Sequence, residues 1–235
     1  DHLVADCETI AGIAVDYGFD PDRIVKFPWG VDLDEFSPGN NTKLRSEFGW
    51  EDEIILLHLR SWEPIYGVDL LVKGFIEAAK QEPKLRLLML GGGSQEKQIR
   101  NLLFEAGILH KVKFAGYINN EDLQEYYQAA NIYVSASHSD GSSVSLMEAM
   151  ASGLPVIVSD IPGNLEWVQE NEQGWLFEDD SYESLAKKML QAAKSADKLM
   201  SMGKNSRKTA EERADWSKNF RKLTALYEKV VQEDR

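Results

Sequence analysis

Short apolar segments alternate with helical segments over most of this sequence, from about residue 53 to residue 177. The expected strands are 54–59, 85–90, 112–115, 132–135, 156–159 and 175–177, and the expected helices between them are 68–79, 95–106, 121–130 and 144–152. Apolar strands that are separated by helices pair in parallel and are covered on both faces. The pattern therefore predicts an α/β fold whose ligands bind beyond the carboxyl ends of the strands.

The two ends of the chain continue this alternation less regularly. At the start we expect strands at 3–5 and 24–27 around a helix at 9–17, and after Gly174 we expect helices at 182–193 and 196–212. Ser94 should open the helix 95–106, and Asp180 with Glu183 has the spacing of a capping box. The last helix is predicted to be amphipathic because its apolar residues recur at steps of three and four. They are Trp216, Phe220, Leu223, Tyr227 and Val230.

Length and charge exclude several classes of protein. With 235 residues and 43% hydrophobic content, the chain can bury one good core, or one domain with appendages. Its net charge of -13 argues against nucleic acid or an anionic membrane as a partner, because both require clustered lysine and arginine. Solubility alone would also account for this charge.

Cellular location is only weakly indicated. Cys7 is the only cysteine, which favours a reducing compartment, so we expect a cytoplasmic protein. Neither a signal peptide nor an apolar run of membrane-spanning length is present. The sequence starts at Asp1 without a methionine, so we expect a piece of something longer, which could reach the inner face of a membrane through its missing part.

The most informative stretch runs from Ser135 to Asn164. A strand ends there in small polar residues, and a helix is predicted to begin at Val144. Seven residues separate Asp140 from Glu148, and the loop between strand and helix contains Gly141, Ser142 and Ser143. Free N–H groups at a helix start suit a phosphate, and carboxylates accept hydrogen bonds from hydroxyls. A nucleotide sugar carries both phosphates and hydroxyls.

A purely structural explanation of the same residues remains open at this point. Ser145 and Glu148 have the spacing of a capping box, and Asp140 could end an Asx-turn. Both acids could then stabilise the loop and the helix without touching a ligand.

The stretch also resembles a known family. Its two acids match the acid, seven residues, acid motif of the retaining family 4 glycosyltransferases, and the residues that follow match the signature Glu-Ala-Met-Ala-x-Gly-x-Pro-Val. These are Glu148, Ala149, Met150, Ala151, Gly153, Pro155 and Val156, and the later SDIPGNLEWV is also similar to the family. The family usually begins its motif with Glu, whereas this chain has Asp140. The resemblance implies the C-terminal half of a GT-B enzyme, a Rossmann-like parallel sheet with helices on both faces.

The resemblance also implies roles for individual residues. Asp140 would be the catalytic carboxylate, and Arg60 would hold the donor phosphates. The remaining candidates for donor binding are Tyr66, Gly92, Tyr117, Ile118, Gly141, Ser142, Ser143, Val144 and Glu148. Tyr66 stands where the family has a Lys as its second phosphate-binding cation. The resemblance thus implies that this chain offers one hydroxyl donor there and no charge.

Each of these candidates has an ordinary alternative. Arg60 could form a surface ion pair with Glu63, Tyr117 could be a packed aromatic residue, and residues 91–93 could be only a tight turn, because they lack the dinucleotide fingerprint. His138 lies beside the central loop and is read as a loop residue rather than a catalyst.

Loop composition places a boundary near residues 28–50, where the family has the linker between its halves. We therefore expect residues 1–27 to be the tail of a missing N-terminal acceptor half and 51–214 to be the donor-binding domain. Residues 215–235 are expected to form a helix that crosses back to that half. Asp32 and Asp34 spell the metal-binding D-x-D of another glycosyltransferase fold. They lie in the linker, so we expect solvated turn acids and no metal site.

The predicted function is transfer of a sugar, with retention, from a nucleotide diphosphate-sugar to an unknown acceptor, without a cofactor. Such a hexosyltransferase-type reaction needs both halves, so this chain alone is expected to be inactive. Two other classes stay open: a non-catalytic nucleotide-sugar-binding or regulatory module, and another GT-B enzyme such as an epimerase or a phosphorylase. The sequence contains neither the epimerase signature nor the lysine motif of phosphorylases.

Overall fold

A six-stranded parallel sheet forms the centre of the computed structural model, which describes residues 2–233; Asp1 and residues 234–235 of the expected last helix lie outside them. The strand order is β5-β4-β3-β6-β7-β8. These strands are β3 Ile54–His58, β4 Leu85–Leu90, β5 Val112–Gly116, β6 Ile132–Ser135, β7 Val156–Ser159 and β8 Gly174–Phe177. The order reverses between β3 and β6, and this reversal opens a crevice at the carboxyl ends of those two strands.

Helices cover both faces of the sheet. In chain order they are α1 Glu8–Asp16, α2 Thr42–Phe48, α3 Val68–Gln81, α4 Glu96–Glu105, α5 Asn120–Ala129, α6 Val144–Ala151, α7 Pro162–Leu165, α8 Tyr182–Ala193, α9 Ala196–Arg213 and α10 Trp216–Glu233. The first face packs against α3, α4 and α8, and the second packs against α5, α6 and α9. Successive residues of β3 alternate between the two cores, which explains why that strand is a continuous apolar run. The expected α/β sheet is confirmed.

The N-terminal segment forms a separate small layer. Strands β1 Leu3–Ala5 and β2 Ile24–Lys26 pair in parallel, with α1 between them in the chain. The carboxylate of Glu166 accepts hydrogen bonds from the backbone N–H groups of Glu8 and Thr9, at 3.0 and 3.2 Å. This acid satisfies the start of α1 and ties the N-terminal segment to α7.

Two short helices and two helix starts differ from the predictions. α2 lies inside the expected linker, where Asn41 caps it through Leu44 N–H at 3.0 Å. α7 has only four residues, too few for a visible periodicity. The capping box at Asp180 is wrong, because Ser181 caps α8 and Asp180 takes a left-handed φ of 59°. Ser94 does not open α4 either, since its N–H bonds to Glu63 instead.

Three of the five apolar residues predicted to form the stripe of α10 are exposed in this chain. Leu226 is buried, whereas Trp216, Phe220 and Tyr227 are 40%, 40% and 57% exposed. None of the helices within residues 2–233 combines the length and the apolar character that a membrane crossing needs.

Candidate functional site

An ion pair joins the ends of β3 and β6 in the crevice where the strand order reverses. Arg60 follows β3 closely, and its Nη2 lies 2.7 Å from Oδ2 of Asp140 in the loop between β6 and α6. Both side chains are only 15% exposed. The alternative pairing of Arg60 with Glu63 is wrong, because the Glu63 carboxylate accepts from the N–H and the hydroxyl of Ser94.

Other contacts orient the Arg60 guanidinium. Its Nη1 lies 3.3 Å from Oγ of Ser143 and 3.4 Å from Oγ of Ser145. The guanidinium carbon stacks 4.3 Å above the ring centroid of Tyr66. Its Nε is buried and has no hydrogen-bond partner among the described residues. Tyr66 thus supports the Arg60 cation with its ring, an attraction of about 0.5–2 kcal/mol.

The loop between β6 and α6 is held partly by the N-terminal segment. Asp6 accepts a hydrogen bond from Ser142 N–H at 3.1 Å through its carboxylate and one from the Ser142 hydroxyl at 2.6 Å through its carbonyl. Gly141 N–H bonds to its neighbour Asp140 at 3.1 Å. The N–H groups of Gly141 and Ser142 are therefore engaged by carboxylates in this structure, which corrects the prediction of a free loop. Ser143 and Val144 stand at the start of α6, where a helix leaves its first N–H groups without intrahelical partners.

Glu148 points inward from α6 and is buried. Its Oε2 accepts a hydrogen bond of 2.7 Å from the hydroxyl of Tyr127 on α5. Burial raises the pKa of Glu148 to about 7, with a smaller contribution from Glu35, while the Tyr127 hydrogen bond and Arg60 act in the opposite direction. Burial also raises the pKa of Asp140, against the opposing effect of Arg60.

The capping-box explanation of Glu148 is wrong. α6 begins at Val144 with Ser143 as its N-cap, so Ser145 lies inside the helix. The Ser145 hydroxyl is 2.9 Å from the hydroxyl of Tyr133 on β6, and the Glu148 carboxylate turns toward Tyr127 rather than toward the start of α6.

The ends of β4 and β5 contribute a third part of the crevice edge. Gly91 N–H donates to Gly116 O at 2.6 Å, and Gly92 O accepts from Trp62 N–H at 3.0 Å, so residues 91–93 form a well-bonded turn. Tyr117 lies beside Gly92 and is 85% exposed, which rules out a packed aromatic side chain. Ile118 is partly buried and packs against the second core.

Two remaining candidates lie outside this cluster. His138 Nδ1 pairs with Asp179 at 2.7 Å, so a neighbouring loop occupies that nitrogen. Asp32 accepts hydrogen bonds from the N–H groups of Asp34 and Glu35 at 2.9 and 3.1 Å, which makes it a turn acid. Within residues 2–233, no group of three or more His, Cys, Asp or Glu side chains could hold a metal ion.

Sequence reasoning missed four residues that shape the site: Asp6, Tyr127, Tyr133 and Gly163. A Cβ at Gly163 would collide with the carbonyl of Asp140, so this glycine lets α7 approach the loop closely. Tyr127 and Tyr133 belong to segments that periodicity had placed correctly, but their hydroxyls give no sign of direction in the sequence. Gly163 could have been found from the sequence, because it lies in the segment SDIPGNLEWV that is similar to the family. No feature of the sequence pointed to Asp6.

Comparison with known proteins supplies the family. Residues 40–209 match the family described as glycosyl transferases group 1. The chain belongs to this family. The D-inositol 3-phosphate glycosyltransferase of Geodermatophilus obscurus is 33% identical over 189 residues, and the mannosylfructose-phosphate synthase of Agrobacterium fabrum is 36% identical over 155 residues. The matches cover 76% and 61% of this chain, but only 42% and 34% of those two proteins.

Solved structures confirm the fold of this family member. The crystal structure of Anabaena HepE in complex with UDP has a TM-score of 0.89 at 17% identity, over 97% of this chain and 64% of that one. The sheet of this group 1 glycosyltransferase chain thus has the architecture that the sequence predicted.

The raised pKa of Glu148 predicts how stability depends on pH. The pKa shifts from 4.5 to about 7 on folding, so the folded state loses stability as the pH rises through this window. A glutamine at this position would stay neutral and would still accept the Tyr127 hydrogen bond. Glu148→Gln should therefore match the wild type near pH 4.5 and be more stable at pH 8 by about 2–3 kcal/mol.

Urea unfolding at both pH values measures this difference. Glu105→Gln, at an exposed position of α4, serves as the control and should show no comparable gain. A Glu148→Gln variant that is no more stable than the wild type at pH 8 would contradict the proposed cost of burying this acid.

Proposed function

We propose that this chain binds the nucleotide diphosphate-sugar donor of a retaining glycosyltransferase. The observation that carries the proposal is the meeting of one arginine, the partly buried Asp140 and the buried Glu148 where the strand order reverses in a group 1 chain. Arg60 supplies positive charge for phosphates, and the acids supply acceptors for hydroxyl groups.

The diphosphate binds at Arg60 and at the start of α6. The stacking of Arg60 on Tyr66 orients its guanidinium, whose Nε–H has no hydrogen-bond partner among the described residues. The N–H groups of Ser143 and Val144 add donors at the positive end of the helix dipole. Asp140 pairs with Arg60 in this structure. The diphosphate competes with Asp140 for this cation.

The two acids and the ends of β4 and β5 hold the rest of the donor. Glu148 accepts hydrogen bonds from the ribose hydroxyls, and the base lies by Gly92, Tyr117 and Ile118. Asp140 is the catalytic carboxylate, whose oxygens accept from the sugar hydroxyls once the phosphates occupy Arg60. Negative charge grows on the leaving diphosphate during transfer, and Arg60 stabilises it without a metal ion or cofactor.

The acceptor binds to a separate N-terminal half of the enzyme, which residues 1–27 and 215–235 contact. Within this chain, residues 28–50 are the linker and residues 51–214 are the donor-binding domain. The exposed apolar side chains of α10 support this arrangement, as does the short share of the relatives' length that this chain covers. The partners are thus the donor and that N-terminal half, with no nucleic acid. We place the protein in the cytoplasm, at the inner face of a membrane if the other half reaches one.

The first test separates binding from transfer. Because transfer needs groups of the missing half, the chain should bind a nucleoside diphosphate, unaffected by a chelator, and should transfer no sugar. Calorimetry with UDP, GDP and ADP measures the binding, and release of nucleotide from the sugar donors measures turnover. Glu148→Ala should weaken binding about tenfold to a hundredfold, since hydrogen bonds to charged groups contribute roughly 1.5–3 kcal/mol.

Each other result contradicts a definite part of the proposal. Turnover by this chain alone would contradict the division into halves, and a strict need for a divalent ion would point to Asp32 and Asp34. If none of the three nucleotides binds, the donor site itself is wrong.

The second test concerns the single phosphate cation. Arg60→Ala should reduce affinity for the diphosphate far more than for the nucleoside and should remove most of the dependence on salt, because only the phosphates meet its charge. Tyr66→Phe keeps the ring and should stay within twofold of the wild type. Tyr66→Leu removes it and should cost about two- to fivefold in diphosphate affinity, from roughly 0.5–1 kcal/mol of cation–π attraction.

Calorimetry with nucleoside, monophosphate and diphosphate at two ionic strengths distinguishes the roles, and thermal unfolding checks that each variant folds. Equal losses for all three ligands in Arg60→Ala would show that Arg60 supports the fold instead of the phosphates. Equal losses in Tyr66→Phe and Tyr66→Leu would assign the effect to the tyrosine hydroxyl.

A further inference from the structure

A fully buried tyrosine lies directly beneath Glu148. Tyr127 comes from α5, and its ring meets Phe36 edge-on, with centroids 5.7 Å apart at 85°. Its hydroxyl lies 2.7 Å from Oε2 of Glu148 and 3.2 Å from the carbonyl of Ser145. The packed ring leaves this hydroxyl little freedom to point elsewhere.

Only one oxygen of the Glu148 carboxylate is used in this way. Tyr127 donates to Oε2, and no described residue donates a hydrogen bond to Oε1. Burial and the nearby Glu148 charge raise the pKa of Tyr127 well above its usual value, so the phenol keeps its proton and remains a donor at neutral pH. The Tyr127 hydroxyl thus holds Oε2, while Oε1 can accept a hydrogen bond from a ligand.

We propose that Tyr127 is a positioning residue for nucleotide binding, whose hydroxyl fixes Oε2 of Glu148 and so directs Oε1 at the ribose hydroxyls. This inference rests on the proposed role of Glu148 in donor binding. Tyr127 touches no part of the nucleotide itself. It acts through Glu148, and its loss should matter only for ligands that carry ribose hydroxyls.

The same hydrogen bond also affects the charge of Glu148. The charged groups that influence this acid are Arg60 after β3 and Glu35 before α2, and Tyr127 is its hydrogen-bonding neighbour on α5. The hydroxyl donates to the ionised carboxylate and lowers its pKa, so Tyr127→Phe should raise that pKa further. Ribose hydroxyls are bound best by the ionised acid. Nucleotide binding by the variant should therefore require a higher pH than binding by the wild type.

The experiment measures affinity from pH 5.5 to 9 by calorimetry. The probes are the tightest binder among UDP, GDP and ADP and its 2′,3′-dideoxy counterpart, and the variants are Tyr127→Phe, Glu148→Ala and Tyr126→Phe. Tyr126→Phe is the matched control, because it removes a hydroxyl from the preceding residue of the same helix, and it is the Tyr127 hydroxyl that bonds to Glu148. Thermal unfolding is recorded for every variant.

Tyr127→Phe should weaken ribonucleotide binding about five- to twentyfold at pH 7 and shift the pH midpoint of binding upward by about one unit. Its affinity for the dideoxy nucleotide should stay within twofold, and Tyr126→Phe should change neither value. Equal losses for both nucleotides, or an unchanged pH midpoint, would overturn the positioning role.

Failure of this inference differs from failure of the proposed function. If Glu148→Ala loses affinity and Tyr127→Phe does not, the carboxylate binds ribose without help from Tyr127. If Glu148→Ala keeps full affinity, or if no nucleotide binds, the donor site is wrong and the role of Tyr127 falls with it.

Discussion

The Arg60–Asp140 ion pair holds together two loops that belong to opposite halves of the sheet. One follows β3 and the other follows β6, and the strand order reverses between them. No helix fills this crevice, because the connections on the two sides of a reversal run in opposite directions. Polar side chains from both loops therefore meet there, and the partly buried ion pair, the serines of the α6 start and the Tyr66 ring all depend on that meeting.

Holding acids in such a place has a cost to stability. Arg60 balances the negative charge of Asp140. Glu148 receives only a hydrogen bond from the neutral Tyr127 hydroxyl and has little contact with solvent, so its ionised form is disfavoured. His58 shows the same effect with the opposite sign, because burial lowers its pKa to about 4 and leaves it uncharged beside Arg60. Arg60 is then the one cation of the crevice edge at neutral pH among these groups. Ionisable groups with shifted pKa values that cluster in a crevice are typical of binding sites rather than of cores.

Periodicity alone located most of the fold. The strands of the sheet are visible as apolar runs because both faces are covered, and β4, β6 and β7 have the predicted bounds. The failures came from short-range signals that compete. Ser145 and Glu148 fit a capping box by spacing, but the helix starts two residues earlier than that box requires, and the Glu148 carboxylate accepts from Tyr127 instead.

The sequence by itself determined the parallel sheet and the family of the chain, and it predicted the edge of the sheet at which a ligand should bind. These follow from alternation and from spacing along the chain, which are local properties. Only the tertiary structure decided what contacts Asp140, Glu148 and the loop between them. Asp6 reaches Ser142 across 136 residues, and Tyr127 reaches Glu148 from a different helix. Such contacts depend on how elements pack at distances of a few ångströms, and no periodicity in the sequence records that packing.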